Sequence, residues 1–233
     1  MNMSTAIFPE TCCICGRLAC GLCLRCACLL TPLYTIECLS CGNSSGDVVS
    51  PCVLCHKMRE GVKVLACWKY DKSIARAIWR VKYDKNPQIM THLARHMPPH
   101  ILSLLFGLCR TQPNVVCTPI PLHAKHEKDR GFNQALLIAR AIELLVGIPT
   151  KENILIKTKE TKQQARSGAR QNRIKNIHGA FQASDAANHL KGALLLVDDV
   201  VTTGSTMRDA IRAVRQNNKT VQIIAVSLAR EHE

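Results

Sequence analysis

The 233 residues include 31 Lys and Arg against 17 Asp and Glu, a formal charge of +14, together with 14 cysteines and only four Phe, three Tyr and two Trp. At 47% hydrophobic residues the chain can bury a core, which excludes a disordered polypeptide, and no apolar run approaches the roughly 20 residues of a membrane span. Residues 1 to 9 lack the basic start and apolar stretch of a secretory leader, so a cytoplasmic protein is expected. In that compartment thiols stay reduced, and many cysteines point to metal rather than to disulfides.

Eleven of the cysteines lie between Cys12 and Cys55, which divides the chain into a region 1–60 and a region 61–233. In the first, Arg17, Arg25, Lys57 and Arg59 are balanced by Glu10, Glu37, Asp47 and Glu60, so the whole charge excess belongs to the second. The first region contains the C-x-x-C pairs Cys12/Cys15, Cys23/Cys26, Cys38/Cys41 and Cys52/Cys55. Zinc takes four tetrahedral ligands, and a C-x-x-C knuckle offers two thiolates to one ion, so consecutive pairing, the simpler choice, gives one or two structural zinc sites, with an Fe–S cluster or redox thiols as the lesser alternatives. So short a segment with few large aliphatics needs that metal to fold. Cys13, Cys20 and Cys28 leave the register open, because Cys20/Cys23 has the same spacing; otherwise these three, with Cys67, Cys109 and Cys117, read as small buried hydrophobes.

From residue 61 onward short apolar runs alternate with helical periodicity, the pattern of an α/β domain with a parallel sheet. Val62 to Trp68 reads as a strand. Ser73 to Tyr83 reads as a helix with Ile74, Ala77, Ile78 and Val81 on one face, and Trp79 is expected in the core. Pro87 opens a second helix running to about Phe106. Val115 to Thr118 is a short strand entering Pro119-Ile120-Pro121, and a loop leads to a helix over Asn133 to Val146 that Gly147 and Pro149 close. After a strand at Ile154 to Ile156, the basic run of Lys157, Lys159, Lys162, Arg166, Arg170, Arg173 and Lys175 has no period and reads as a mobile loop. Ala193 to Val197 is a buried strand, Ser205 to Gln216 a helix and Val221 to Leu228 the last strand.

The stretch Leu194 to Met207 is the strongest motif of the second region. A buried strand ends in Asp198 and Asp199, and the small polar loop Thr202, Thr203, Gly204, Ser205, Thr206 opens a helix. Ligands of open α/β sheets bind in that crevice, where loop amides and a helix N-terminus cradle phosphate. It is not a Walker A loop, since no Gly-Lys-Ser/Thr follows. Adjacent carboxylates suit the two hydroxyls of a sugar whose phosphate the loop holds. His123 and His126 lie near, but neither makes a compelling general base.

Val197 to Thr206 resembles the phosphoribosyl pyrophosphate (PRPP) signature of type I phosphoribosyltransferases. More of the chain is similar to the ComF/GntX family of competence proteins, a zinc ribbon on such a domain. The likeness rests on Thr118-Pro-Ile-Pro-Leu122, Arg130-Gly-Phe-Asn-Gln134, Trp79-Arg-Val-Lys-Tyr83, and Arg173-x-x-Asn176 with Ala180-Phe181. It departs from the family at Ala165, which follows Gln164 where a leucine is usual.

The resemblance implies the fold, a parallel sheet flanked by helices with a small ribbon before it. It also implies PRPP with Mg²⁺, the ribose on Asp198 and Asp199, the 5′-phosphate on Thr202 to Thr206, and pyrophosphate at Pro119-Ile120-Pro121. Arg130 is the candidate for neutralising that pyrophosphate, because a planar guanidinium can bind phosphate oxygens bidentately. Two uses remain open for Lys159, Lys162, Arg166, Arg170 and Arg173: a hood over PRPP, or contact with single-stranded DNA. Three functions stay in competition: a competence protein handling single-stranded DNA with the competence helicase as partner, an active phosphoribosyltransferase, and a zinc adaptor without catalysis.

Overall fold

The computed structural model describes residues 11–19, 21–50, 52–55, 61–159 and 179–231. Its centre is a six-stranded sheet in the order β2-β1-β3-β8-β7-β4, formed by β1 (Ile36–Cys38), β2 (Ser44–Ser45), β3 (Lys63–Lys69), β4 (Val116–Pro119), β7 (Ala193–Val201) and β8 (Gln222–Arg230). The four strands of the second region pair in parallel, as the alternation of apolar runs and helices predicts. β1, from the cysteine-rich region, adds to the edge of β3 antiparallel, with Glu37 opposite Val64. An ion pair from Arg230 Nε to Glu37 Oε2 at 2.8 Å ties that edge to β8.

Alternate residues of the central strands face two cores. Leu195, Val197, Ile224 and Val226 pack with helices α2 (Lys72–Tyr83), α3 (Pro87–Arg95), α4 (Pro99–Thr111) and α6 (Gln134–Val146). Leu194, Leu196, Ile223 and Ala225 pack with α7 (Ser205–Asn217) and the antiparallel pair β5 (Leu155–Lys157) and β6 (Phe181–Ala183). Burial on both faces is why Leu194 to Val197 form an unbroken apolar run at 0% exposure.

Local chemistry sets the helix ends. The Asp71 carboxylate caps α2 by accepting from Ser73 N at 2.8 Å and Ile74 N at 3.0 Å, and Gly147 closes α6 at φ 81°. The expected single helix from Pro87 is two, because Pro98-Pro99 cannot continue one: Pro98 restricts its predecessor and Pro99 begins α4. The loop expected before Asn133 contains the seven-residue helix α5 (Ala124–Arg130), which buries no residue and so leaves no apolar period to detect. Trp79 is 55% exposed rather than in the core. At 100° per residue it sits far from the Ile74, Ala77, Ile78, Val81 face, and angle outweighs apolar character.

The cysteine-rich region packs onto this frame at two places. Cys12, Cys13, Ile14, Leu22 and Cys26 join the core of α2 and α3, and Arg80 Nη1 donates to the carbonyls of Cys12 at 2.9 Å and Cys13 at 3.2 Å. Near the other face, Leu39 lies against Gly204, where an added Cβ would meet Leu39 Cδ1 at 2.6 Å. Among the described residues, no helix is long and apolar enough to cross a membrane.

Candidate functional site

The eight cysteines form two compact groups, Cys12, Cys15, Cys23, Cys26 and Cys38, Cys41, Cys52, Cys55, in each of which the sulfurs lie within 4.8 Å of one another. Cys15 Sγ and Cys23 Sγ are 3.7 Å apart, and Cys41 Sγ and Cys52 Sγ 3.5 Å. Bonds of about 2.3 Å in a tetrahedron put sulfurs about 3.8 Å apart, so both donor sets fit zinc. Within each group the thiols split. Burial opposes ionisation of Cys12, but amides of Cys15, Cys23 and Ile14 outweigh it and bring the thiol to about 6. Cys52 is lowered to about 7 in the same way by amides of Cys55 and Leu54 and the thiol of Cys41. A hydrogen bond with Cys41, then burial, pushes Cys55 to about 12, and burial first of all raises Cys26 and Cys38. Sulfurs this close cannot all carry charge without a cation.

Of the other cysteines, Cys13, Cys67 and Cys117 are buried as expected. Cys28 and Cys109 are exposed, because they fall on outward positions of the C-cap of the short helix α1 (Leu24–Ala27) and of α4. Cys20 lies outside the described residues.

The second candidate site is the carboxyl end of β7. The strand runs to Val201, four residues past the expected end at Val197, so Asp198 and Asp199 lie within its carboxyl end. Each stiffens the next peptide: Asp198 Oδ1 accepts from Asp199 N at 2.9 Å and Asp199 Oδ1 from Val200 N at 2.8 Å. Asp198, Thr202, Gly204, Ser205 and Thr206 line one crevice. Gly204, at φ 71° as the N-cap of α7, supplies the left-handed turn that points loop and helix at the same space. Thr203 Oγ1 lies 3.0 Å from Ser205 Oγ.

The proline turn is held beside this crevice by β4, which pairs Pro119 with Val197. Ile120 N donates to Val197 O at 2.8 Å, and Asn133 Nδ2 donates to Ile120 O at 3.0 Å. Asn133 also caps α6, accepting from Ala135 N at 3.0 Å, and Gln134 begins that helix buried, its Nε2 without a hydrogen-bond partner among the described residues. His123 caps α5 through Nδ1, 3.4 Å from Lys125 N.

Charges converge on the acidic pair. Asp198 retains some surface, yet burial, reinforced by the charge of Asp199, pushes its carboxyl well above the usual range, with Lys157 acting against the shift. Burial lowers the Lys157 ammonium, which stands 5.4 Å from the Phe181 ring centroid, while Asp198 favours its charge. Arg130 is half-buried, and there desolvation, the larger effect, is opposed by Asp199 and Tyr83. Arg130 thus lies within electrostatic range of Asp199, whereas Lys159 is exposed and Lys162, Arg166, Arg170 and Arg173 lie outside the described residues.

Three residues escaped the sequence reading. Lys157 lay inside a basic run and looked like one cation among many. Asp209 is 4% exposed on the apolar face of α7, and its carboxylate accepts from Gly179 N and Ala180 N at 2.8 Å and Phe181 N at 3.3 Å. An acid among Met207, Ala210, Ile211 and Val214 was a legible signal. Arg208 Nη1 donates to Leu39 O at 2.8 Å and its Nη2 to Thr203 O, joining the second cysteine group to the loop, and nothing in the sequence announced that.

No protein-family model matches the chain. It is 25% identical over 205 residues to DNA utilization protein YhgH of Salmonella typhi, covering 87% of this chain and 88% of that protein. It is 27% identical over 181 residues to competence protein F of Haemophilus influenzae, 77% of this chain and 78% of the other. Competence protein ComFC of Bacillus subtilis is 24% identical over 164 residues, 70% of this chain and 62% of its own. Over most of its length the chain is similar to these DNA utilization and competence proteins. Among solved structures, a glutamine PRPP amidotransferase of B. subtilis aligns with 59% of this chain and 26% of its own, at 15% identity and a TM-score of 0.32. An adenine phosphoribosyltransferase of Leishmania tarentolae aligns with 57% of this chain and 72% of its own, at 13% identity and a TM-score of 0.27.

Proposed function

We propose that this chain binds PRPP in the crevice between β7 and α7 and acts on single-stranded DNA during natural transformation, with one structural zinc in each four-cysteine group. The observation that carries the first part is the convergence, at one sheet end, of an acidic pair, a small polar loop opening a helix and a clamped proline turn. Asp198 and Asp199 would accept from the ribose hydroxyls, and amides and hydroxyls of Thr202 to Thr206 would hold the 5′-phosphate. Arg130 would meet the pyrophosphate with a desolvated guanidinium, which strengthens a charge-assisted contact. Mg²⁺ suits this donor set, because it takes most of its ligands from phosphate oxygens and water and needs few from protein. The DNA part rests on the names of the relatives and on the excess positive charge.

Calorimetry with PRPP and Mg²⁺ tests the site. Heat of binding that disappears in Asp198→Ala is expected, and no heat from the unaltered chain would overturn the reading.

A second reading, transfer of ribose 5-phosphate to an acceptor, is favoured by the presence of Arg130 within electrostatic range of Asp199. A cation at the departing pyrophosphate and carboxylates at the sugar would stabilise charge separation in the transition state. Release of pyrophosphate in the presence of a panel of acceptors supports it, and PRPP binding without turnover removes it.

A further inference from the structure

We infer that the exposed face of α2 is a track for single-stranded nucleic acid, leading from a cationic groove beside the first cysteine group past the adjacent rings of Trp79 and Tyr83. This rests on the reading above that nucleic acid is the partner. It moves the contact from the basic run after Lys157 to a helix.

Lys72, Arg76, Trp79 and Tyr83 are all exposed, and at 100° per residue they fall within about 60° of one another, opposite the buried Ile74, Ala77, Ile78 and Val81. From Lys72 to Tyr83 the stripe is about 16 Å long at ~1.5 Å per residue. At its start lies a groove of about 430 Å³ bordered by Arg17, Arg25, Lys72 and Arg76 and by Ile14 and Leu29; none of its described lining residues is acidic. Two of these cations come from the neutral first region and two from α2, so only the fold assembles the patch. In the middle stand Trp79, 55% exposed, and Tyr83, 67% exposed, their ring centroids 4.7 Å apart and their planes tilted by 31°. At the far end Tyr83 and Asp199 are both neighbours of Arg130.

Single exposed aromatics are ordinary, but an adjacent pair with cations on both sides is the combination that single-strand binders use. The cations follow phosphates while the rings stack unpaired bases, whose faces a duplex conceals. An acidic protein partner would use the cations and leave the rings without a role.

The test uses the full chain with labelled oligothymidylate and with a duplex of equal length. Trp68 is 3% exposed, so in a Trp68→Phe variant the remaining Trp79 emission should be quenched by the single strand and far less by the duplex. Trp79→Ala with Tyr83→Ala should weaken single-strand binding about 5- to 150-fold, the range for one stacked base. Lys72→Ala with Arg76→Ala should lower the slope of log affinity against log salt by about 1.4, as two lost phosphate contacts require. PRPP heat in Trp79→Ala should stay unchanged, which shows an intact fold. Unchanged affinity in both double variants, with loss on changing Lys162, Arg166 and Arg170 to Glu, overturns the track while leaving the DNA reading standing. Failure of the unaltered chain to bind single strands overturns both.

Discussion

Asp209 offers a quantitative check on how the crevice is held. Its carboxylate accepts three backbone amides, from Gly179 and Ala180 at 2.8 Å and Phe181 at 3.3 Å, and so fixes the start of β6 against α7. Hydrogen bonds to a charged group contribute about 1.5–3 kcal/mol, and a buried donor left unsatisfied costs about 1–3 kcal/mol. Gly179 is exposed and water can replace its partner, whereas Ala180 and Phe181 are buried. Asp209→Ala should therefore cost about 3–4 kcal/mol, a large part of the ~5–15 kcal/mol of a typical domain. Asp209→Asn can keep its oxygen toward Ala180 and Phe181 and present its amide near Gly179, so it should cost only about 1–2 kcal/mol. Urea unfolding of the two variants measures both, read from midpoints at unchanged slope. A loss below about 1 kcal/mol in the alanine variant, or equal losses in the two, would refute the account.

The Asp198 carboxyl lies above its ordinary value of 3.8, so the folded chain holds a proton that the unfolded chain has released, and stability falls as pH rises through that interval. Asp198→Asn should melt a few degrees higher than the unaltered chain at pH 7 to 8 and no differently below pH 4, at about 2–4 °C per kcal/mol, while losing PRPP binding. Gly204→Ala forces φ 71° on a residue with a Cβ and pushes it toward Leu39, so a loss of about 2–3 kcal/mol and weaker PRPP binding at full zinc content are expected from melting and calorimetry. Metal analysis should find two zinc ions per chain, and Cys38→Ser with Cys41→Ser should leave one. That variant should also weaken PRPP binding, because Leu39 between the two cysteines supports Gly204 and Arg208. Retained PRPP affinity would show that the second group and the loop are independent.

Features that depend on short stretches of chain were legible in the sequence. A C-x-x-C knuckle is its own signal, and four in series gave both cysteine groups with the consecutive pairing that the fold brings together. Four buried residues, two acids and a small polar loop described the strand, turn and helix around Asp198 before any contact was known, because each part follows from burial, φ and capping nearby. The polar helix α5 buries no residue and so leaves no period in the sequence, whereas the break at Pro98-Pro99 is written there in the two prolines.

What only the tertiary structure decided is which distant charges meet. Lys157 faces Asp198 because β5 lies on the α7 side of the sheet, and Arg130 lies within electrostatic range of Asp199 because Asn133 and Ile120 clamp the chain that carries it. Composition assigned the whole positive excess to the second region, yet Arg17 and Arg25 from the balanced first region line one groove with Lys72 and Arg76. Net charge is a sum over a segment, whereas a binding surface is a matter of distance, and only the folded chain sets the distances.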